Sequence, residues 1–117
     1  MITEEKVVQI IANACLEEKA EDVVILDVRD LTVIADYFVI ASGRNSIQVR
    51  SIADAVEECL RDQGIAPDRK EGHQQGHWII MDYNSVILHV FRREEREYYN
   101  LENLWGDASP VAVESKL

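Results

Sequence analysis

Cysteine is scarce in this chain. Cys15 and Cys59 stand 44 positions apart, and no CxxC pair occurs. Both fall on apolar faces of segments with helical pattern, where lone cysteines serve as small buried hydrophobes. Such usage suits a reducing compartment. Long apolar runs are missing too: no stretch approaches the ~20 residues that span a bilayer. The N-terminus, Met1 to Val8, is acidic, unlike the basic-then-apolar layout of a signal peptide or the Arg-rich layout of a transit peptide. The expected location is a bacterial-type cytoplasm, with no membrane partner.

Basic charge is the third shortage. There are 12 Lys and Arg against 22 Asp and Glu, a net charge of −10 and a pI near 4.6. An acidic surface repels phosphate backbones, so little direct nucleic-acid contact is expected. The one tight basic cluster, Arg92-Arg93, is followed at once by Glu94-Glu95. A basic partner protein would be attracted, with encounter speeded more than affinity deepened. The same charge also serves plain solubility.

Catalytic and ligand motifs are also missing. Ser42-Gly43 lies between a strand pattern and a helix pattern, but no phosphate-loop or dinucleotide fingerprint follows. The paired acids Glu4-Glu5, Glu17-Glu18, Glu57-Glu58 and Glu94-Glu95 sit in helical segments facing solvent. There is no strand-borne Asp-x-Asp to hold magnesium, no Ser/His/Asp order, and no His partner for either Cys. His73, His77 and His89, with Glu71 and Asp82, raise the question of a metal. His73 and His77 flank Gln-Gln-Gly, which reads as a loop, and His77 and His89 fall on opposite strand faces, whereas zinc needs three or four convergent ligands. No cofactor, no metal and no enzymatic activity are expected; a nucleotide- or metal-dependent transferase is the weakest rival.

What is there is a globular pattern: 47% hydrophobic and 29% charged residues separate the chain from disordered ones. Its 117 residues fit one domain, residues 1–106, followed by a tail at 107–117 where periodicity vanishes and flexibility is expected. Helices are predicted over 3–19, capped by Thr3, and from Ser46 to about Gln63, capped by Asn45 and stopped by Gly64. A last helix is predicted over 94–104, its Tyr98, Tyr99, Leu101, Leu104 and Trp105 suiting core packing or a dimer contact. Strands are predicted at 23–28, 37–42, 77–83 and 86–91, with a short extra one near 68–71. The order α-β-β-α-β-β-α implies an α/β sandwich around a mixed β-sheet. The crossover through the second helix would make the 37–42 and 77–83 strands parallel.

The last two strands form a hairpin about Asn84-Ser85. Alternation then sets Ile79, Met81, Tyr83, Val86, Leu88 and Val90 on one face, toward the core. Trp78, Ile80, Asp82, Ile87, His89 and Phe91 share the other face. That mixture suits an interface, with aromatic contact area and an acid to meet a Lys or Arg; a covering helix, with Asp82 and His89 at its rim, is the plainer alternative.

Several runs together resemble the Iojap-related, or ribosomal silencing factor, family. They are 36–43, then Gln48-Val49 with Ile52-Ala53-Asp54, then Glu71-Gly72. After these come 78–83, 86–91, and finally Arg96, Tyr99, Leu101-Glu102 and Leu104-Trp105. The resemblance implies a nucleotidyltransferase-like mixed sheet without the catalytic acids. It implies binding to the large ribosomal subunit through large-subunit ribosomal protein fourteen, blocking of subunit association, and repression of translation. A homodimer off the ribosome is also implied; a role in large-subunit assembly would use the same surface. Carried over by position, the partner-binding residues are Trp78, Asp82 and His89, with Glu71, Ile80 and Phe91 nearby, and Tyr99, Leu101 and Glu102 from the last helix. The chain departs from the family at the hairpin turn, where many relatives carry Gly-Asp.

Overall fold

The computed structural model describes residues 2–114. Strands β1 (Glu21–Asp27), β2 (Tyr37–Gly43), β3 (Arg69–Glu71), β4 (Trp78–Asp82), β5 (Val86–Arg92) and β6 (Ser109–Val111) form one mixed sheet, in the order β3-β4-β5-β2-β1-β6. Helices α1 (Glu4–Glu17) and α2 (Ser46–Arg61) pack together against one face. We call that face the inner one. The short helices α3 (Arg93–Tyr99) and α4 (Leu101–Leu104) belong to the other side of the chain's path, following directly from β5.

The helix ends follow from their caps. The Thr3 side chain accepts the Lys6 N–H at 3.2 Å, and the Asn45 side chain accepts the Gln48 N–H at 2.9 Å. Gly64, at φ 78°, closes α2: the Ile65 N–H reaches back to the Leu60 carbonyl at 2.9 Å. The apolar stripe of α2, Val49, Ile52, Ala53, Val56 and Leu60, is wholly buried against the sheet. Cys15 is buried and Cys59 packs on the same core from its margin; neither forms a disulfide. Burial pushes the Cys15 thiol up to about 12, so it stays an uncharged hydrophobe.

Three expectations are corrected. First, β4 is not parallel to β2. The parallel neighbour of β2 is β5, from Tyr37 opposite Val86 to Gly43 opposite Arg92, while β4 runs antiparallel to β5. The strand that follows α2 is the short β3, at the far edge, which shares the direction of β2. The crossover rule therefore acts on β3, and β4 is the return stroke.

Second, the segment 107–117 is not a loose tail through its described part. β6 pairs antiparallel with β1, Leu26 opposite Pro110, and so covers an otherwise open strand edge. Val111 and Val113 pack on the inner core. Gln9 takes the Ala112 carbonyl at 2.9 Å and the Glu114 N–H at 2.8 Å, and Asn13 takes the Glu114 carbonyl at 2.9 Å. Residues 115–117 lie outside the described residues.

Third, the last helix breaks at Asn100, which adopts the left-handed conformation (φ 47°, ψ 56°). Asn tolerates that region better than most residues, so the chain turns there between α3 and α4.

Candidate functional site

The hairpin pairs in the register that a two-residue turn requires: Trp78 opposite Phe91, Ile80 opposite His89, Asp82 opposite Ile87. Asn84 takes a φ of 73°, as such a turn demands, and its N–H bonds to the Asp82 carboxylate at 2.8 Å. Ile79, Met81, Tyr83, Val86, Leu88 and Val90 all join the inner core. The other six residues therefore share the outer face.

That face is graded from buried to open. Phe91 has no exposed surface, and His89 retains only 7%. Trp78, Ile80 and Asp82 are half-buried. The indole of Trp78 stacks on Phe91, centroids 4.9 Å apart at 23°, and meets Tyr99 of α3 at 4.7 Å. His89 stands edge-on to Phe38, centroids 5.3 Å apart, and Trp105 meets Phe38 at 5.2 Å. Phe38 and Ile87 form a second small core with Val28 and Ala35, onto which Leu26, Ile80, Trp105 and Ala108 pack.

Polar groups on this face are mostly satisfied within the chain. The Trp78 indole Nε1–H donates to His89 Nδ1 at 3.1 Å. Burial pushes the His89 imidazole down to about 4, so it is neutral at ordinary pH. The buried Arg96 grips Glu102 through two bonds, Nε to Oε1 at 2.9 Å and Nη2 to Oε2 at 3.0 Å. Its Nη1 donates to Ser42 Oγ at 2.8 Å. This clasp ties α4, α3 and the end of β2 together, using the ion-pair geometry in which Arg is strongest. Asp82 lies 3.5 Å from Arg69 on the neighbouring strand, and Glu71 pairs with the same Arg69 at 3.4 Å.

The sequence-predicted site residues thus separate by position. Trp78, Ile80, Asp82, Glu71, Tyr99 and Leu101 keep surface that a partner can reach. Phe91 lies under the indole with no exposed surface. His89 is almost as enclosed, and the Glu102 carboxylate is engaged by Arg96.

Leu31, Val33 and Ile34 were not singled out from sequence, whereas Tyr98, Tyr99 and Leu104 were. Among the described residues, exposed large hydrophobics include Leu31, Val33 and Ile34 in the β1–β2 connection, at the end where β2 begins, and Tyr98, Tyr99 and Leu104 around the Asn100 break, beyond the far end of β5. Leu31, Val33 and Ile34, crowded into a connection between Asp30 and Asp36, were the available signal. Arg96 entered only among the residues of the family resemblance; by helical spacing alone it reads as solvated, and its burial came with the fold.

Gly72 sets the edge of the patch. It sits at φ 80°, and a Cβ there would fall 2.1 Å from the Trp78 carbonyl oxygen. Only glycine lets the loop after β3 pass so close to the backbone that carries Trp78. The Arg92-Arg93 cluster is neutralised: Arg92 pairs with Glu95 at 2.6 Å, lowering that carboxyl below its ordinary range, and Arg93 pairs with Glu21. Among the described residues no group of three or more His, Cys, Asp or Glu is placed to hold a metal ion, and no helix is long and apolar enough to cross a membrane.

The chain has known relatives along nearly its whole length. A protein of Halalkalibacterium halodurans named ribosomal silencing factor is 41% identical over 113 residues, covering 97% of both chains. Its namesake in Bacillus subtilis is 39% identical, covering 95% of this chain and 93% of that one. A mouse protein named for mitochondrial assembly of the ribosomal large subunit is 26% identical over 84% of this chain and 44% of its own length. A crystal structure from Chromobacterium violaceum superposes with a TM-score of 0.88 at 28% identity, covering 97% of this chain and 95% of that one. The family model described as ribosomal silencing factor during starvation matches residues 2–117. This mixed α/β chain, with its aromatic hairpin face, belongs to the ribosomal silencing factor family.

Proposed function

We propose that the protein represses translation by binding, without turnover: it docks on the large ribosomal subunit through the basic large-subunit ribosomal protein fourteen and occupies space that the small subunit must enter. The observation that carries the reading is the family match across residues 2–117. The outer face supports it, offering a half-buried Trp beside Ile80 and Tyr99 on a chain of net charge −10. Aromatic contact area and opposite charge are what a specific, electrostatically steered protein interface needs. The patch has to bury only roughly 800 Å² per partner. The setting is the cytoplasm. Off the ribosome two copies pair as a homodimer; if the surfaces overlap, that pairing competes with docking by mass action.

Co-sedimentation with separated and joined ribosomal subunits on a sucrose gradient tests this. Migration with the large subunit alone, and fewer joined ribosomes, is the expected result; protein left at the top of every gradient defeats the reading. Trp78→Ala should weaken large-subunit binding by about 2 kcal/mol or more, with the fold monitored by circular dichroism. A second reading, assistance in large-subunit assembly, is favoured by the name of the mouse relative. It would show as immature large subunits accumulating in cells that lack the protein.

A further inference from the structure

His89 presents a puzzle if it is taken as a contact residue. It is 7% exposed, flanked by Phe38 and Phe91, and lies directly across the hairpin from Ile80. Its polar work is internal: Nδ1 accepts the Trp78 indole N–H at 3.1 Å. An indole has one donor and no acceptor, so this bond uses all the hydrogen-bonding capacity that Trp78 has. Without it, a half-buried N–H would need water or a partner atom, at the free-energy penalty of an unsatisfied donor. The ring is further held by Phe91, stacked at 4.9 Å, and by Tyr99 at 4.7 Å.

We infer that His89 is a positioning residue for the docking face: its Nδ1 fixes the Trp78 indole with the N–H turned inward, so that Trp78 offers a partner apolar surface and no free donor. This rests on the reading of the hairpin face as the docking surface, and it assigns the kind of group Trp78 meets: an aliphatic or aromatic side chain, or the methylene stem of a Lys or Arg. Preorganisation of this kind strengthens docking, because no rotamer freedom of the largest contact residue remains to be lost on binding. The acceptor must be an unprotonated Nδ1, so the imidazole carries its hydrogen on Nε2.

Two measurements test it. In the unmodified protein, nitrogen-15 spectra should show His89 as the Nε2–H tautomer and a nitrogen–nitrogen coupling across the hydrogen bond from Trp78 Nε1 to His89 Nδ1. Absence of that coupling overturns the inference. Next, His89→Phe keeps the ring and removes the acceptor, whereas His89→Asn retains an oxygen near the Nδ1 position. For His89→Phe the Trp78 indole proton should exchange with solvent at least about tenfold faster, and large-subunit affinity should fall about tenfold. His89→Asn should recover most of both. Faster exchange with unchanged affinity would make His89 only a packing residue. If the unmodified protein shows the coupling but never binds the large subunit, the docking reading fails while the bond stands, which separates the two failures.

Discussion

The two faces of the central sheet are built from the same strands by opposite means. On the inner face, α1 and α2 seal an apolar core in which Ile79, Met81, Leu88 and Val90 have no exposed surface. On the outer face, α3, α4 and the 28–36 connection cover only part of the sheet. Aromatic rings, a neutral imidazole and a part-buried Arg–Glu clasp hold what remains. The inner face lowers free energy through burial alone, which is non-directional. The outer face depends on directed contacts and leaves Trp78, Ile80 and Asp82 partly exposed. Stability belongs chiefly to the first face, and the second is the one on which the proposed docking falls.

The largest expected effect sharpens that division. Leu88→Ala, on the inner face of β5, should cost about 2–5 kcal/mol in denaturant unfolding while leaving the outer surface chemically unchanged. A loss below 1 kcal/mol would show that the inner core repacks freely and would break the comparison.

A pH titration of stability addresses the outer face. The unfolded His89 binds its proton near the ordinary value of 6.5, whereas burial lowers the folded value to about 4. Between those values the unfolded chain holds the extra proton, so acid favours unfolding. The contribution is fully present above pH 6.5 and is lost as pH falls to about 4, amounting to about 3 kcal/mol. His89→Asn, which does not titrate, should flatten this segment of the stability curve.

Gly72→Ala joins both properties at one place. The strained φ and the clash with the Trp78 carbonyl should cost about 2 kcal/mol and also weaken large-subunit binding, since the displaced backbone carries the indole. Calorimetric unfolding with parallel co-sedimentation reads both losses. Smaller again is Glu102→Gln. Arg96 is buried but Glu102 is 38% exposed, and solvent screening reduces the pair to about 1 kcal/mol. The loss should appear as faster amide exchange in α4, with the inner face unaffected.

Much of this was legible in the sequence because it is local. Alternation along 78–83 and 86–91 sorts side chains to two faces whatever lies on them, and Asn45, Gly64 and the Asn84-Ser85 turn act on backbone within a few residues of themselves. Elements were harder to place where the deciding partner is distant. Val111 and Val113 are too brief an alternation to signal a strand; β6 forms because β1 offers an open edge and Gln9 and Asn13 receive the chain. The parallel partner of β2 could not be chosen between β4 and β5 from a crossover length alone, since the three-residue β3 takes the place after α2. The break at Asn100 was hidden by helical spacing that continues through it.

At the candidate site the same boundary holds. The chain's pattern by itself determined that Trp78, Ile80, Asp82, Ile87, His89 and Phe91 share a face, because a strand's period of two admits no other outcome. Which of them stay open was decided by what folds over them. Phe91 vanishes beneath Trp78, His89 turns its nitrogen to the indole, and Glu102 is drawn to Arg96 across the Asn100 turn. Residue type and spacing fix direction, whereas burial is the sum of contacts from distant parts of the chain, and only the packed tertiary structure sets that sum.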